Sequence, residues 1–218
     1  RLQGDVERIR ELIDVLRQIR DGRGVGRAAF EQRVMESLSW LVHNACTELL
    51  DGGVARQPSL VAPQALSPDL RPPCDVVLEL CRYAIECLTY SRPRDSLAGN
   101  RRRFALELLG EASCVFEMPA PVLAFVRQTI KTGRGPAVMG AILFCETYCK
   151  ARDIPVPDEV EELLLAFVKR TDSRGLAVGA LNTLVESGNI DELTALDHID
   201  NWKDRHDPWR RQQQEAQR

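Results

Sequence analysis

The sequence predicts an all-α protein in which antiparallel helical hairpins stack side by side. Apolar residues recur at helical spacing along most of the chain, as in the segment 5–20. A block at 122–129, VLAFVRQT, returns almost intact at 164–171 as LLAFVKRT, and an Arg-Gly pair follows each copy, at Arg134 and at Arg174. Because each predicted helix has only one apolar face, each needs a neighbour to cover it, and stacked hairpins provide one.

The composition favours an intracellular globular protein over a polyanion-binding or membrane-spanning one. The chain has 218 residues, of which 44% are hydrophobic, and a net charge of −3, which does not suggest a general polyanion binder. Its seven cysteines form no Cys-x-x-Cys pair and fall mostly on apolar helix faces, as expected for reduced thiols of an intracellular protein, cytoplasmic or nuclear. No apolar run is long enough to span a bilayer, so we predict no membrane partner.

Two helices open the chain and form a predicted N-terminal hairpin, 1–52. The first spans 5–20 and is stopped by the sequence Asp-Gly-Arg-Gly at 21–24, and the second spans 26–50. Between 53 and 74 the periodicity disappears, which predicts a long exposed loop or linker. Five prolines mark this segment: Pro58, Pro63, Pro68, Pro72 and Pro73.

The segment 75–203 is predicted to consist of repeated helical hairpins, followed by a polar tail at 204–218. Helices are expected at 75–90 and from 96 onward, and a last helix begins at a capping-box pattern at 189–192. Between them lie two repeat units, each opened by prolines. Their four helices are predicted at 121–131, 136–151, 157–170 and 175–186.

The second unit resembles a HEAT repeat, in which a leucine-rich helix is followed by a short turn with Asp, then Arg, and a second helix rich in small residues. Pro157, Asp172 and Arg174 stand where that family has its proline, its turn aspartate and its basic residue. The first unit departs from the pattern, with Thr-Gly at 132–133 in place of the aspartate. The resemblance covers 119–188, and armadillo-like describes it equally well. It implies a curved, non-catalytic scaffold that binds partner proteins.

Two groups of arginines are candidate partner-binding residues. Arg23, Arg134 and Arg174 follow recurring turns, so we expect them at equivalent ends of their hairpins and along one ridge. Such a ridge suits an acidic peptide tail or a phosphate backbone. The alternative is that each arginine forms an ion pair with an acidic group of the adjoining repeat. The second group suits nucleic-acid contact or nuclear import, or simply forms a solvated loop and helix start. It comprises Arg92, Arg94, Arg101, Arg102 and Arg103.

The sequence lacks the motifs of a hydrolase nucleophile elbow, a phosphate-binding loop or a zinc protease, so we predict neither an enzyme nor a cofactor or metal site. The predicted function is a non-catalytic protein–protein interaction scaffold or a regulatory subunit of a larger intracellular assembly. The alternative is a nucleic-acid- or chromatin-associated helical repeat that uses the arginine patch. Phosphate binding would weaken steeply with added salt, which separates the two hypotheses.

Overall fold

A computed structural model describes residues 3–21, 28–55, 60, 66–90 and 97–206. Within these residues the fold is all-α, which confirms the predicted class, and no helix is both long and apolar enough to cross a membrane. The helices are α1 (Gln3–Arg20), α2 (Ala28–Asp51), α3 (Arg71–Thr89), α4 (Ala98–Ala112), α5 (Ala120–Thr132), α6 (Pro136–Lys150), α7 (Asp158–Arg170), α8 (Arg174–Glu186) and α9 (Glu192–His206).

The even-numbered helices pack one upon the next and run parallel. α2 lies on α4, α4 on α6 and α6 on α8. The direction of α4 and α6 follows from two contacts along their length: Gly140 lies against the backbone of Arg103, and Gly110 lies against Phe144 further along both helices. Among the odd-numbered helices, α1 packs on α3 and α5 on α7.

The closest helix pair, α4 and α6, depends on glycine. A Cβ built on Gly140 would lie 2.6 Å from the Cα of Arg103, and one built on Gly110 would lie 3.4 Å from the Cα of Phe144. Any larger side chain at 140 would push the two backbones apart. These glycines therefore bring the middle of the molecule together, and α4 and α6 form its centre.

The helices α5 and α7 have the same pattern of buried residues, but the shift that aligns the two helices differs from the shift that aligns the repeated string VLAFVRQT. Both begin after a proline, Pro119 and Pro157, with nearly identical backbone angles of φ −59°, ψ 143° and φ −57°, ψ 142°. A shift of 38 positions (122 to 160) superimposes all of their buried residues. The pairs are Val122 with Val160, Val126 with Leu164, Thr129 with Phe167, and Ile130 with Val168.

The string VLAFVRQT returns at a shift of 42 positions (122 to 164), four more than the shift of the helices. Four residues are close to one helical turn of about 3.6 residues, so the displaced string still presents its apolar side chains to the same face. The string therefore identifies the repeated element correctly and its register wrongly, by one turn.

The main differences from the expected boundaries are at the start of α3 and the end of α9. α3 begins at Arg71, so the end of the predicted loop at 53–74 is helical. Pro72 and Pro73 lie in its first turn, where the missing N–H groups have no intrahelical partner to lose. At the other end, α9 continues to His206, three residues into the predicted polar tail.

Candidate functional site

Parallel packing gathers several helix ends at one edge of the molecule. The start of α4 adjoins the start of α6, because a Cβ on Gly99 would lie 3.6 Å from Cδ of Pro136. The end of α7 adjoins the end of α5, because the guanidinium of Arg170 donates hydrogen bonds to the carbonyl oxygens of Gly133, at 3.3 Å, and of Ile130. We call this the turn edge; it comprises the first turns of α4, α6 and α8 and the last turns of α5 and α7.

Exposed cations dominate the turn edge around α5–α8. Within the segments 131–134 and 169–174, Asp172 is the one acidic residue. In the described part of the chain, Lys131, Lys169 and the two turn arginines form no ion pair, so the pairing with an adjoining repeat that the sequence left open is not found there. We call this group the basic edge: Lys131, Arg134, Lys169, Arg170 and Arg174.

Arg170 ties the basic edge to the fold. Besides its two bonds to the end of α5, its guanidinium lies 4.8 Å from the centroid of the Phe167 ring. Burial, and next the positive charge of Arg134, lower the pKa of Arg170. Like charges therefore face each other across neighbouring turns, and an anion bound between them would relieve the repulsion.

Arg134 and Arg174 lie on the same edge, as the sequence predicts, but not at equivalent positions. Arg134 is the middle residue of the turn between α5 and α6, whereas Arg174 is the first residue of α8. At the 38-position shift, Arg134 corresponds to Asp172, and Arg174 to Pro136. The two arginines therefore lie at the same end of their hairpins, as predicted, but two residues apart within the turn. Arg23 lies outside the described residues.

The predicted arginine patch is divided by the structure. Arg101 is only 6% exposed, and its guanidinium pairs with the carboxylate of Glu31, with Nη2 3.0 Å from Oε2. It joins α4 to α2 and is not accessible to a partner, although sequence density placed it in an exposed cluster. Arg92 and Arg94 lie outside the described residues.

Arg102 and Arg103 remain partly exposed on the first turns of α4. Arg102 donates a hydrogen bond to the backbone oxygen of Tyr90 at 3.3 Å, and Nε of Arg103 is 2.7 Å from the carboxylate of Glu107. The backbone of Arg103 contacts Gly140 of α6, and the guanidinium of Arg102 lies 5.9 Å from the centroid of the Phe125 ring of α5. Both guanidinium groups are therefore engaged within the fold, and the structure shows no contact between them and Arg134 or Arg174 among the residues it describes.

The opposite edge carries a pocket with more acidic than basic residues. The last turns of α6 and α8 and the segment 153–155 border this pocket of about 410 Å³, which is lined by the carboxylates Glu146, Asp153 and Glu186 and by Lys150. Burial, and next the charge of Glu186, raise the pKa of Glu146. Among the residues that the structure describes, no group of three or more His, Cys, Asp or Glu could hold a metal ion. This pocket therefore carries a net negative charge, in contrast to the basic edge.

Lys131, Lys169 and Arg170 were missed at the sequence level. Each lies in the last turn of its helix, where a cation also offsets the partial negative charge of the carbonyl end. That signal marks them as helix-end residues but does not place them beside Arg134. The chain matches no protein-family model, and comparisons with curated proteins and with solved structures gave no significant match.

Proposed function

We propose that this chain is an α-solenoid of the HEAT or armadillo type and acts as a non-catalytic protein–protein interaction scaffold or regulatory subunit of a larger intracellular assembly. Its partner brings an acidic segment to the basic edge. The observation that carries the proposal is a row of exposed cations on neighbouring turns that form no ion pair within the described part of the chain: Lys131, Arg134, Lys169 and Arg174. Parallel stacking of the even-numbered helices supports the solenoid, and seven free cysteines support a reducing compartment.

An acidic peptide suits this edge on energetic grounds. A single exposed ion pair contributes only about 0.2–1 kcal/mol, so recognition needs several charges in a row. Arginine also binds a carboxylate through two parallel N–H donors, which gives the contact direction. The backbone of these cations is already ordered in helix ends and a three-residue turn, so only their side chains lose conformational freedom on binding.

The alternative, a nucleic-acid- or chromatin-associated repeat, draws on the same charges. Sequence-independent phosphate contact needs cations and no aromatic platform, and the basic edge supplies five cations. Two residues of the arginine patch that prompted this alternative are not free to bind phosphate: Arg101 is buried against Glu31, and Arg103 forms an ion pair with Glu107. We therefore favour the protein partner.

The test uses the double variant Arg134→Glu/Arg174→Glu and a matched control, Arg71→Glu/Arg82→Glu. Both change the charge by the same amount, and the control residues are exposed and remote from the basic edge. Each protein is used to capture partners from native lysate with and without nuclease. Binding to a fluorescent twelve-residue polyglutamate and to a duplex DNA is measured over a range of salt concentrations.

We expect nuclease-resistant partners and polyglutamate to bind wild type and control and to be lost from the edge variant. Capture that disappears with nuclease, together with DNA binding that falls steeply with salt, would support the nucleic-acid alternative instead. If the edge variant and the control behave alike, the basic edge is not the contact surface.

A further inference from the structure

A groove separates the first two helices. α1 packs on α3, with Nη2 of Arg10 3.0 Å from a carboxylate oxygen of Glu79 and with a second ion pair between Arg17 and Glu86. It does not close fully on α2, although the sequence predicts that the two form one hairpin. The space left between α1 and α2 has a volume of about 850 Å³.

The groove has an apolar floor and a basic rim. Leu12, Leu41 and the exposed Trp40, which is 68% accessible, line it together with buried neighbours. Arg8 and Arg33 stand on its rim, and neither forms an ion pair within the described chain. Glu36 also borders the groove, where it accepts a hydrogen bond from Gln32 at 2.9 Å. The rim therefore carries a net positive charge.

The helix α9 presents a surface of opposite character. Its inner side packs on the core through the buried Trp202, whose Nε1 donates to the backbone oxygen of Thr171 at 2.7 Å. Its outer side exposes Leu193 and Leu196, with 74% and 59% of each residue accessible. Two exposed carboxylates flank these leucines, Glu192 and Asp197, neither with an ion pair in the described chain.

We propose that α9 of one copy of this chain docks into the α1–α2 groove of the next copy. The leucine pair would cover the apolar floor beside Trp40, and the carboxylates of α9 would face Arg8 and Arg33. This inference goes beyond the proposed scaffold function and does not use the basic edge.

Charge selects this pairing over the symmetric ones. Two grooves placed face to face would bring together two rims of net positive charge, and two α9 helices would bring together two exposed faces that carry Glu192 and Asp197. Like charges across an interface suppress such pairings. A groove and an α9 are complementary, and because the two surfaces differ, the association is head to tail and does not stop at a dimer.

The test is sedimentation of the full chain at about 1 µM to about 1 mM, the range of weak protein contacts. The wild-type mass should rise with concentration past twice the monomer mass of 24.5 kDa. Trp40→Glu, which blocks the groove, and Leu196→Arg, which blocks α9, should each weaken association at least about tenfold. Mixed in equal amounts, the two variants should form a dimer and nothing larger, because each retains one intact surface.

Two exposed apolar residues elsewhere serve as controls: Leu50→Glu and Ile154→Arg should associate as wild type does. Arg33→Glu and Asp197→Arg should each weaken association, and the chain carrying both should recover it. Circular dichroism and thermal melting establish that each variant is folded. A wild type that stays monomeric throughout, a mass that levels off at a dimer, or a mixture that fails to pair would overturn the proposal.

Discussion

Removing the guanidinium of Arg101 should cost the protein a large part of its stability. The Arg101 and Glu31 side chains are 7% and 4% exposed, so Arg101→Ala leaves a buried carboxylate without its cation. Breaking one side of a buried ion pair costs about 3–5 kcal/mol. Since domains are stable by only about 5–15 kcal/mol, this loss should be evident in urea denaturation as a lower midpoint at unchanged slope.

The matched control lies two residues along the same helix. Arg103 pairs with Glu107 while 40% of its side chain is exposed, so Arg103→Ala should cost only about 0.2–1 kcal/mol. The double variant Glu31→Leu/Arg101→Met, which replaces both charges, should recover most of the stability that Arg101→Ala loses. If Arg101→Ala and Arg103→Ala cost the same, or if the double variant is the least stable of the set, the buried-pair argument is refuted.

Three further outcomes can be checked with single substitutions. Gly140→Ala should destabilise the protein by about 1–3 kcal/mol in thermal melts, because the added Cβ would lie 2.6 Å from the backbone of α4. Gly175→Ala is the control: its Cβ would meet nothing within 4 Å, so this variant should not be destabilised. Cys114 is the one cysteine of the seven that is not buried, whereas burial raises the pKa of the Cys81 and Cys145 thiols, so Cys114 should react first with a disulfide reagent, and Cys114→Ser should abolish that phase. The hydrogen bond from Arg17 lowers the pKa of Glu86. The ion pair therefore stabilises the fold at a pH above the ordinary carboxyl pKa, and this stabilisation is lost as the pH falls through the lowered pKa of Glu86. Glu86→Gln should be less stable than wild type at pH 7 and equally stable in strong acid.

Local signals in the sequence were sufficient to place most helices. α5 and α7 lie within one residue of their predicted bounds at each end, because proline fixes the start and an unbroken apolar stripe fixes the length. Their register was not predictable in the same way. A string displaced by about one turn keeps its face, so only packing against neighbouring helices selects the 38-position shift over the 42-position one.

The candidate site shows the same limit more sharply. A dense run of arginines predicts an exposed patch, but Glu31, which buries Arg101, is 70 positions away in the sequence. Lys131 and Arg134 meet Lys169 and Arg174 only because the helices of successive hairpins run parallel. Residue type and local spacing therefore identified some of the right arginines, whereas tertiary packing decided which of them reach the surface.

Arg174 lies at a position where a positive charge is expected to destabilise helix α8. It is the first residue of α8, where the unpaired N–H groups already carry partial positive charge, and α8 has no acidic residue in its first turn. A carboxylate there would stabilise the helix, so Arg174→Glu should raise the free energy of unfolding by about 0.3–1 kcal/mol relative to Arg174→Gln. The same substitution should abolish binding of an acidic partner. A gain in stability together with a loss of binding is expected where a residue is retained for function; if Arg174→Glu is instead less stable than Arg174→Gln, the cation is needed by the fold and its role in binding loses this support.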